Sequence, residues 1–161
     1  LSNHSKSSDE DNFMRRALEL AKLAATVDEV PVGAVIVKDG VIVGEGYNQP
    51  IVNHDPTAHA EIIAIRQACA ALGNYRLTGC DLYVTVEPCT MCVGAMVHAR
   101  IKRIFFGALE PRAGALQSQL QLLNNGPYNH SIECQGGLLA EECSALMSNF
   151  FRDKRQETKT K

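Results

Sequence analysis

His59 and Glu61 stand one alanine apart inside the otherwise apolar run DPTAHAEIIAI (55–65). Buried imidazole and carboxylate groups are costly unless something uses them. Thirty residues after His59, the segment VEPCTMC (86–92) brings Cys89 and Cys92, three apart and so on one face of a helix's first turn. At a helix start, unpaired N–H groups and the dipole favour the thiolate, the form that binds metal. One histidine and two cysteines make an N/S ligand set of the kind zinc prefers. A structural zinc is normally closed by four protein ligands, whereas a catalytic one keeps a position for water. His54, Cys80, Cys134 and Cys143 are the available fourth ligands, and none belongs to a second paired motif. Three ligands plus water is the simpler arrangement, and it gives Glu61 a purpose as general base and later acid. Residues two apart on a helix diverge by about 200°. Glu61 and His59 therefore meet one metal only where the helix is just beginning, as Asp55-Pro56-Thr57 suggests.

Positioning these side chains takes elements that the hydrophobic pattern outlines. Ala58 to Ala71 reads as a helix burying most of one side, with Gly73 as its stop. From Asn12, NFMRRALELAKLAA has a helical face of Phe13, Ala17, Leu20 and Ala24, with Asp11 or Asn12 as the cap. VGAVIVKD and GVIVGEGYN read as strands of a hairpin turning at Asp39-Gly40. DLYVTVE (81–87) reads as a buried strand, PCTMCVGAMVHA as a helix with Pro88 at its mouth, and IKRIFFGA as another strand. HSIECQGG offers a short strand, and LLAEECSALMSNFFRDKRQ a long final helix. A leading hairpin followed by alternating helices and strands predicts an α/β fold with one mixed sheet covered by helices.

The chain's 161 residues suit a single domain with a real core, and its composition is that of an ordinary soluble protein. No apolar stretch approaches the roughly 20 residues that span a bilayer, and no secretory pattern is visible. The expected setting is therefore cytoplasmic, with no membrane partner, and the six cysteines are expected as thiols or metal ligands rather than disulfides. The polar start LSNHSKSSDED (1–11) is expected to be disordered, and its lack of an initiating methionine suggests a processed or truncated chain. Residues 12–157 form the expected domain, with 158–161 a flexible basic tail. The formal net charge of −2 excludes a global field for nucleic acid, so any such partner must be held by a local patch.

HAE followed by PCTMC resembles the zinc-dependent nucleoside and nucleobase deaminase superfamily. EVPVGAVIV, GEGYN, DPTAHAEI, YRLTG, LYVTVEPCTMC and FFRDKRQ are more specifically similar to the bacterial tRNA-specific adenosine deaminases, from Phe13 to about Glu157. The resemblance implies a three-layer α-β-α cytidine-deaminase-like fold with a central mixed sheet of about five strands. It also implies a homodimer and one Zn2+ per subunit, held by His59, Cys89 and Cys92. The implied reaction converts adenosine to inosine at the wobble position of an arginine tRNA with an ACG anticodon. Zinc hydroxide would attack C6, and Glu61 would protonate the ring nitrogen and then the departing amino group.

Substrate contacts follow from the same likeness. Asn48, closing GEGYN, falls where the family places an asparagine on the target base, and Ala60 belongs to the same expected pocket. A turn asparagine ending a strand is its plainer explanation. FFGALEPRAGA (105–115) matches a loop near the RNA, but Glu110 stands where the family usually has aspartate. YNHS (128–131) makes Asn129 and His130 candidate contacts to flanking nucleotides. Phe150 and Phe151 precede a tail with five basic and two acidic residues from Arg152 onward, so aromatics could stack on loop bases of the anticodon stem-loop while Arg152, Lys154 and Arg155 meet phosphates. Cations ending a helix are also favoured by its dipole. Cys69, Cys80, Cys134 and Cys143 are expected as small buried apolar residues. Two other functions fit the motifs: a deaminase of a free base or nucleoside such as guanine or cytidine, and a non-catalytic zinc-stabilised RNA-binding module, which would need a fourth protein ligand.

Overall fold

Asp39 and Gly40 take φ of 51° and 78°, and the β-branched runs on either side pair antiparallel as β1 (Gly33–Lys38) and β2 (Val41–Tyr47). The computed structural model describes residues 2–160, so Leu1 and Lys161, the outermost residues of the two expected tails, lie outside the described residues. β1 also pairs antiparallel with β3 (Asp81–Val86), which pairs parallel with β4 (Arg103–Ala108), which in turn pairs parallel with the short β5 (Glu133–Gln135). The result is one mixed five-stranded sheet in the order β2-β1-β3-β4-β5. The helices are α1 (Ser2–Thr26), α2 (Ala60–Leu72), α3 (Thr90–His98), α4 (Leu122–Asn125) and α5 (Ala140–Thr160).

Strand alternation sorts the core into two layers. Ala34 and Ile36, Leu82 and Val84, and Ile104 and Phe106 pack with Ala60, Ala64 and Ala68 of α2 and with Cys92, Val93 and Met96 of α3. The intervening Val35, Val37, Tyr83 and Phe105 face Met14, Ala17, Leu18 and Leu20 of α1 and Cys143 of α5. On that side Phe13, Tyr83 and Phe105 form an aromatic column, with Tyr83 stacked on Phe105 at 4.7 Å. Three layers, α-β-α, therefore hold the sheet. Asp81 and Arg103 lie directly opposite in the β3–β4 register, and their bidentate pair (Nε to Oδ1 2.9 Å) fastens the strand starts.

Several bounds differ from the sequence expectation. Helix α1 starts at Ser2 rather than at an Asp11 or Asn12 cap, and α5 continues to Thr160 through most of the expected tail. No glycine or proline interrupts either span, so no backbone feature stops these helices where apolar periodicity fades. Cys80 and Cys143 are buried as expected and Cys69 is half-buried, but Cys134 is exposed, because β5 forms the sheet's outer edge and is itself exposed throughout.

The approach of α2 to β2 decides where His59 lies. A Cβ on Gly46 would overlap the Ala60 carbonyl and press on the Ala64 nitrogen. Gly46→Ala should therefore push the first turn of α2 outward. The expected cost is about 1–3 kcal/mol, seen as a melting temperature lower by about 2–4 °C per kcal/mol.

Candidate active site

The chain enters α2 through a loop pinned by side chains. The buried Glu29 carboxylate accepts the N–H groups of Ile51 (3.3 Å) and Val52 (2.9 Å). Asp55 Oδ1 then accepts the Thr57 N–H (2.9 Å) and hydroxyl (2.7 Å), closing a tight turn. His59 follows as the N-cap in extended conformation, without a side-chain cap bond. The capping role falls instead to Asn48, whose Oδ1 accepts the Ala60 N–H at 2.8 Å from the end of β2. His59 is thus left to point elsewhere, and Glu61 lies in the first turn, where it can meet the same point as His59 despite the two-residue offset.

The second half comes from the β3–α3 junction. Cys89 is the extended N-cap of α3, and Cys92 lies buried in its first turn. Sγ of Cys89 and Sγ of Cys92 stand 3.7 and 3.5 Å from His59 Nδ1. Tetrahedral zinc with Zn–S of about 2.3 Å and Zn–N of about 2.0–2.1 Å separates its sulfur and nitrogen ligands by about 3.6 Å. Both sulfurs already stand at that spacing from the nitrogen, and all three donors lie within 4.8 Å of one another. Among the described residues, His59, Cys89 and Cys92 form the one such cluster, and His54, Cys80, Cys134 and Cys143 do not join it. The donor set therefore fits zinc with a position left for a non-protein ligand.

Electrostatics matches that arrangement. Burial pushes the Glu61 carboxyl up to about 6, partly offset by its own N–H, by His59 and by a hydrogen bond with the Cys92 thiol. That hydrogen bond places the carboxyl at the cluster's edge. Cys89 is pulled down to about 4 by hydrogen bonds with Cys92 and His59, against the opposing effect of burial. Cys92 moves up, because it shares its proton with Cys89 and is buried beside Glu61. His59 also moves up, toward an imidazolium paired with the Cys89 thiolate.

The remaining candidates fall in different places. Ala60 is wholly buried with its N–H already given to Asn48. Glu110 folds over its own loop, where Oε1 accepts the Arg112 N–H at 2.8 Å. Asn129 is exposed, while His130 is half-buried and its Nε2–H donates to the Ile101 carbonyl at 2.8 Å. The tail residues do not act as one set, since successive helical positions turn about 100° apart. Phe151 and Arg155 line a groove of about 910 Å³ together with Leu109, Glu110, Arg112 and Met147, whereas Phe150 and Arg152 are not among its walls. Phe150 is half-buried beneath Lys154, and Arg152 donates to Asn149. Lys154 is itself paired with Asp28 at 2.9 Å. Sequence reasoning passed over Arg112, Leu109 and Met147, whose joint position depends on how α5 crosses the loop after β4. It also passed over the buried Glu29 and Glu87, which look in sequence like any other glutamates.

The cytidine and deoxycytidylate deaminase zinc-binding region matches residues 7–108. A tRNA-specific adenosine deaminase of Haemophilus influenzae is 51% identical over 93% of this chain and 87% of its own length. A solved structure from work on A-to-I editing by tRNA:A34 deaminases superposes with a TM-score of 0.82 at 44% identity, over 84% of this chain and 98% of the other. A guanine deaminase from Bacillus subtilis is 49% identical over 61% of this chain and 63% of its own, with a TM-score of 0.58. No helix among the described residues is long and apolar enough to cross a membrane. With the zinc-binding region matched across His59, Cys89 and Cys92, the chain belongs to the cytidine and deoxycytidylate deaminase family and is an enzyme that deaminates by hydrolysing a C–N bond.

Proposed function

We propose that this enzyme deaminates adenosine to inosine at the wobble position of an arginine tRNA with an ACG anticodon, with one zinc per subunit. The observation that carries the chemistry is the buried Glu61 carboxyl against Cys92 at the rim of a three-donor cluster. The substrate is supported by relatives named tRNA-specific adenosine deaminases at 42–51% identity over most of the chain. His59, Cys89 and Cys92 hold the metal, which when bound makes water a strong nucleophile at neutral pH. Glu61 takes one proton from the attacking water and passes it to the purine ring nitrogen. It then takes the second from the hydroxyl formed at C6 and gives it to the amino group, which leaves as ammonia while C6 becomes a carbonyl. With Oδ1 committed to Ala60, Asn48 offers the base its Nδ2 donors. The proposed catalytic unit is residues 12–157, working in the cytoplasm as a homodimer.

Nucleotides flanking the target are proposed to meet Asn129 and His130, with Glu110 toward the RNA ribose or backbone, Ala60 walling the pocket, and phosphates meeting the groove. Phe150, Phe151, Arg152 and Arg155 remain the candidate contacts on α5, with the groove favouring Phe151 and Arg155. Arg155→Glu should therefore raise KM for the tRNA about tenfold at low salt and flatten its salt dependence, through lost phosphate contact. Arg152→Glu, outside the groove, should do so less.

The deciding experiment offers zinc-loaded enzyme the ACG arginine tRNA beside free adenosine, cytidine and guanine, and reads products by mass. Inosine at the wobble position alone supports the proposal. Ammonia from free guanine alone would support the second reading, which the likeness to a guanine deaminase keeps in view. No product from any of these at full zinc occupancy would overturn both substrate readings.

A further inference from the structure

We propose that Glu87 is a positioning residue, whose carboxylate fastens the loop of residues 110–118 to the Cys89 turn and thereby sets how tightly the RNA is held. This rests on the RNA substrate proposed above. Glu87 is 3% exposed and stands two residues before Cys89. Its Oε1 accepts the Glu110 N–H (3.0 Å) and the Ser118 hydroxyl (2.5 Å). Its Oε2 accepts the N–H groups of Leu116 (3.2 Å), Gln117 (2.8 Å) and Ser118 (2.9 Å). All five donors are neutral, and four are main-chain amides of one loop.

Main-chain bonds continue the same seam. The Glu87 N–H donates to the Ala108 carbonyl and the Ala115 N–H to the Pro88 carbonyl, both at 2.9 Å. The loop also wraps too closely to admit a side chain at residue 114, where a Cβ on Gly114 would overlap the carboxylate. One end of the gathered loop carries Glu110 and Arg112, which wall the groove with Phe151 and Arg155. Glu87 therefore joins metal-bearing turn and groove wall through a single carboxylate.

Its oxygens have separate tasks, which makes the claim testable. In Glu87→Gln the amide can keep one oxygen on the three amides of 116–118, while its NH2 donates to the Ser118 hydroxyl oxygen. The Glu110 N–H is then the donor left without an acceptor. The substitution should loosen the groove end of the loop and spare the Cys89 turn. Zinc-loaded E87Q is expected to keep full metal content and a kcat within about twofold, with KM for the anticodon stem-loop raised about tenfold. Ser118→Ala removes one donor and should shift KM the same way by about twofold, serving as the readout if E87Q does not fold. Unchanged KM in every variant that folds, a fall in kcat at constant KM, or loss of zinc from a variant that still melts cooperatively would each overturn the proposal. Should the wild-type protein not deaminate the stem-loop, the substrate reading fails by itself. Trypsin cleavage after Arg112 then tests the anchorage directly: faster cutting in E87Q supports it, and an unchanged rate overturns it.

Discussion

Replacing Glu61 with glutamine should cut kcat by about 10²–10⁴-fold while leaving zinc stoichiometry and substrate affinity nearly intact. Glutamine has the shape of the carboxyl but cannot carry a proton between the attacking water, the ring nitrogen and the leaving amine. Burial holds the Glu61 carboxyl near 6, close to where a group that must accept and then return a proton works best. A bound cation lowers that value, so the acid limb of kcat/KM should lie at or below about 6, with activity lost as pH falls through it and Glu61 becomes protonated. The same burial makes a stability prediction of definite sign. A carboxyl whose folded pKa lies above its ordinary 4.5 favours the fold below that ordinary value and loses the advantage as pH rises through about 6. The neutral glutamine does not suffer this loss, so metal-free E61Q should be the more stable by about 2 kcal/mol at pH 8. Thermal melts of the metal-free proteins at pH 4 and pH 8 check it: a stability difference that does not grow with pH would contradict the argument. Undiminished kcat in E61Q would remove Glu61 from the chemistry.

The parts of this site that were legible in the sequence are those encoded by neighbours along the chain. Asp39-Gly40 between β-branched runs specified the hairpin, and Gly73 ended α2 with φ of 64°. His59 with Glu61 and Cys89 with Cys92 declared a metal site because their spacing is local, and the structure brings the two halves together across 30 residues. What escaped depends on contacts between distant segments. Glu29 and Glu87 are buried only because loops fold over them and hand them main-chain amides. His130 was legible as a polar loop residue, but its hydrogen bond to the Ile101 carbonyl arises from the tertiary path of that loop. Phe150 and Phe151 keep a T-shaped ring contact at 5.4 Å on α5, yet only Phe151 lines the groove, a difference set by how α5 crosses the loop after β4. Asn48 is the intermediate case. Its position after a strand suggested both a turn and a base contact, and the structure gives its oxygen a third task, the first amide of α2.

Loss of a metal ligand should act on stability and activity together, and pH separates the ligands. Cys92 is wholly buried and its thiol is held protonated by Cys89, Glu61 and the surrounding core. Zinc must therefore displace the Cys92 proton, whereas Cys89, held down to about 4, is already a thiolate at neutral pH. Apparent zinc affinity should consequently fall about tenfold or more for each unit that pH drops below neutrality. Adding a chelator should lower the melting temperature of the wild-type protein, since a ligand that binds only the folded state stabilises it by mass action. Cys92→Ala should lose zinc, abolish deamination and melt at the same temperature with or without chelator. Its own melting temperature should match that of metal-free wild type to within the cost of a small buried cavity. Cys89→Ala removes the half-exposed thiolate and should also lose zinc, yet without the buried cavity. Metal content and paired melts with and without chelator check both variants. Full zinc occupancy in Cys92→Ala would mean that a fourth protein donor closes the site, and with it the position that water needs.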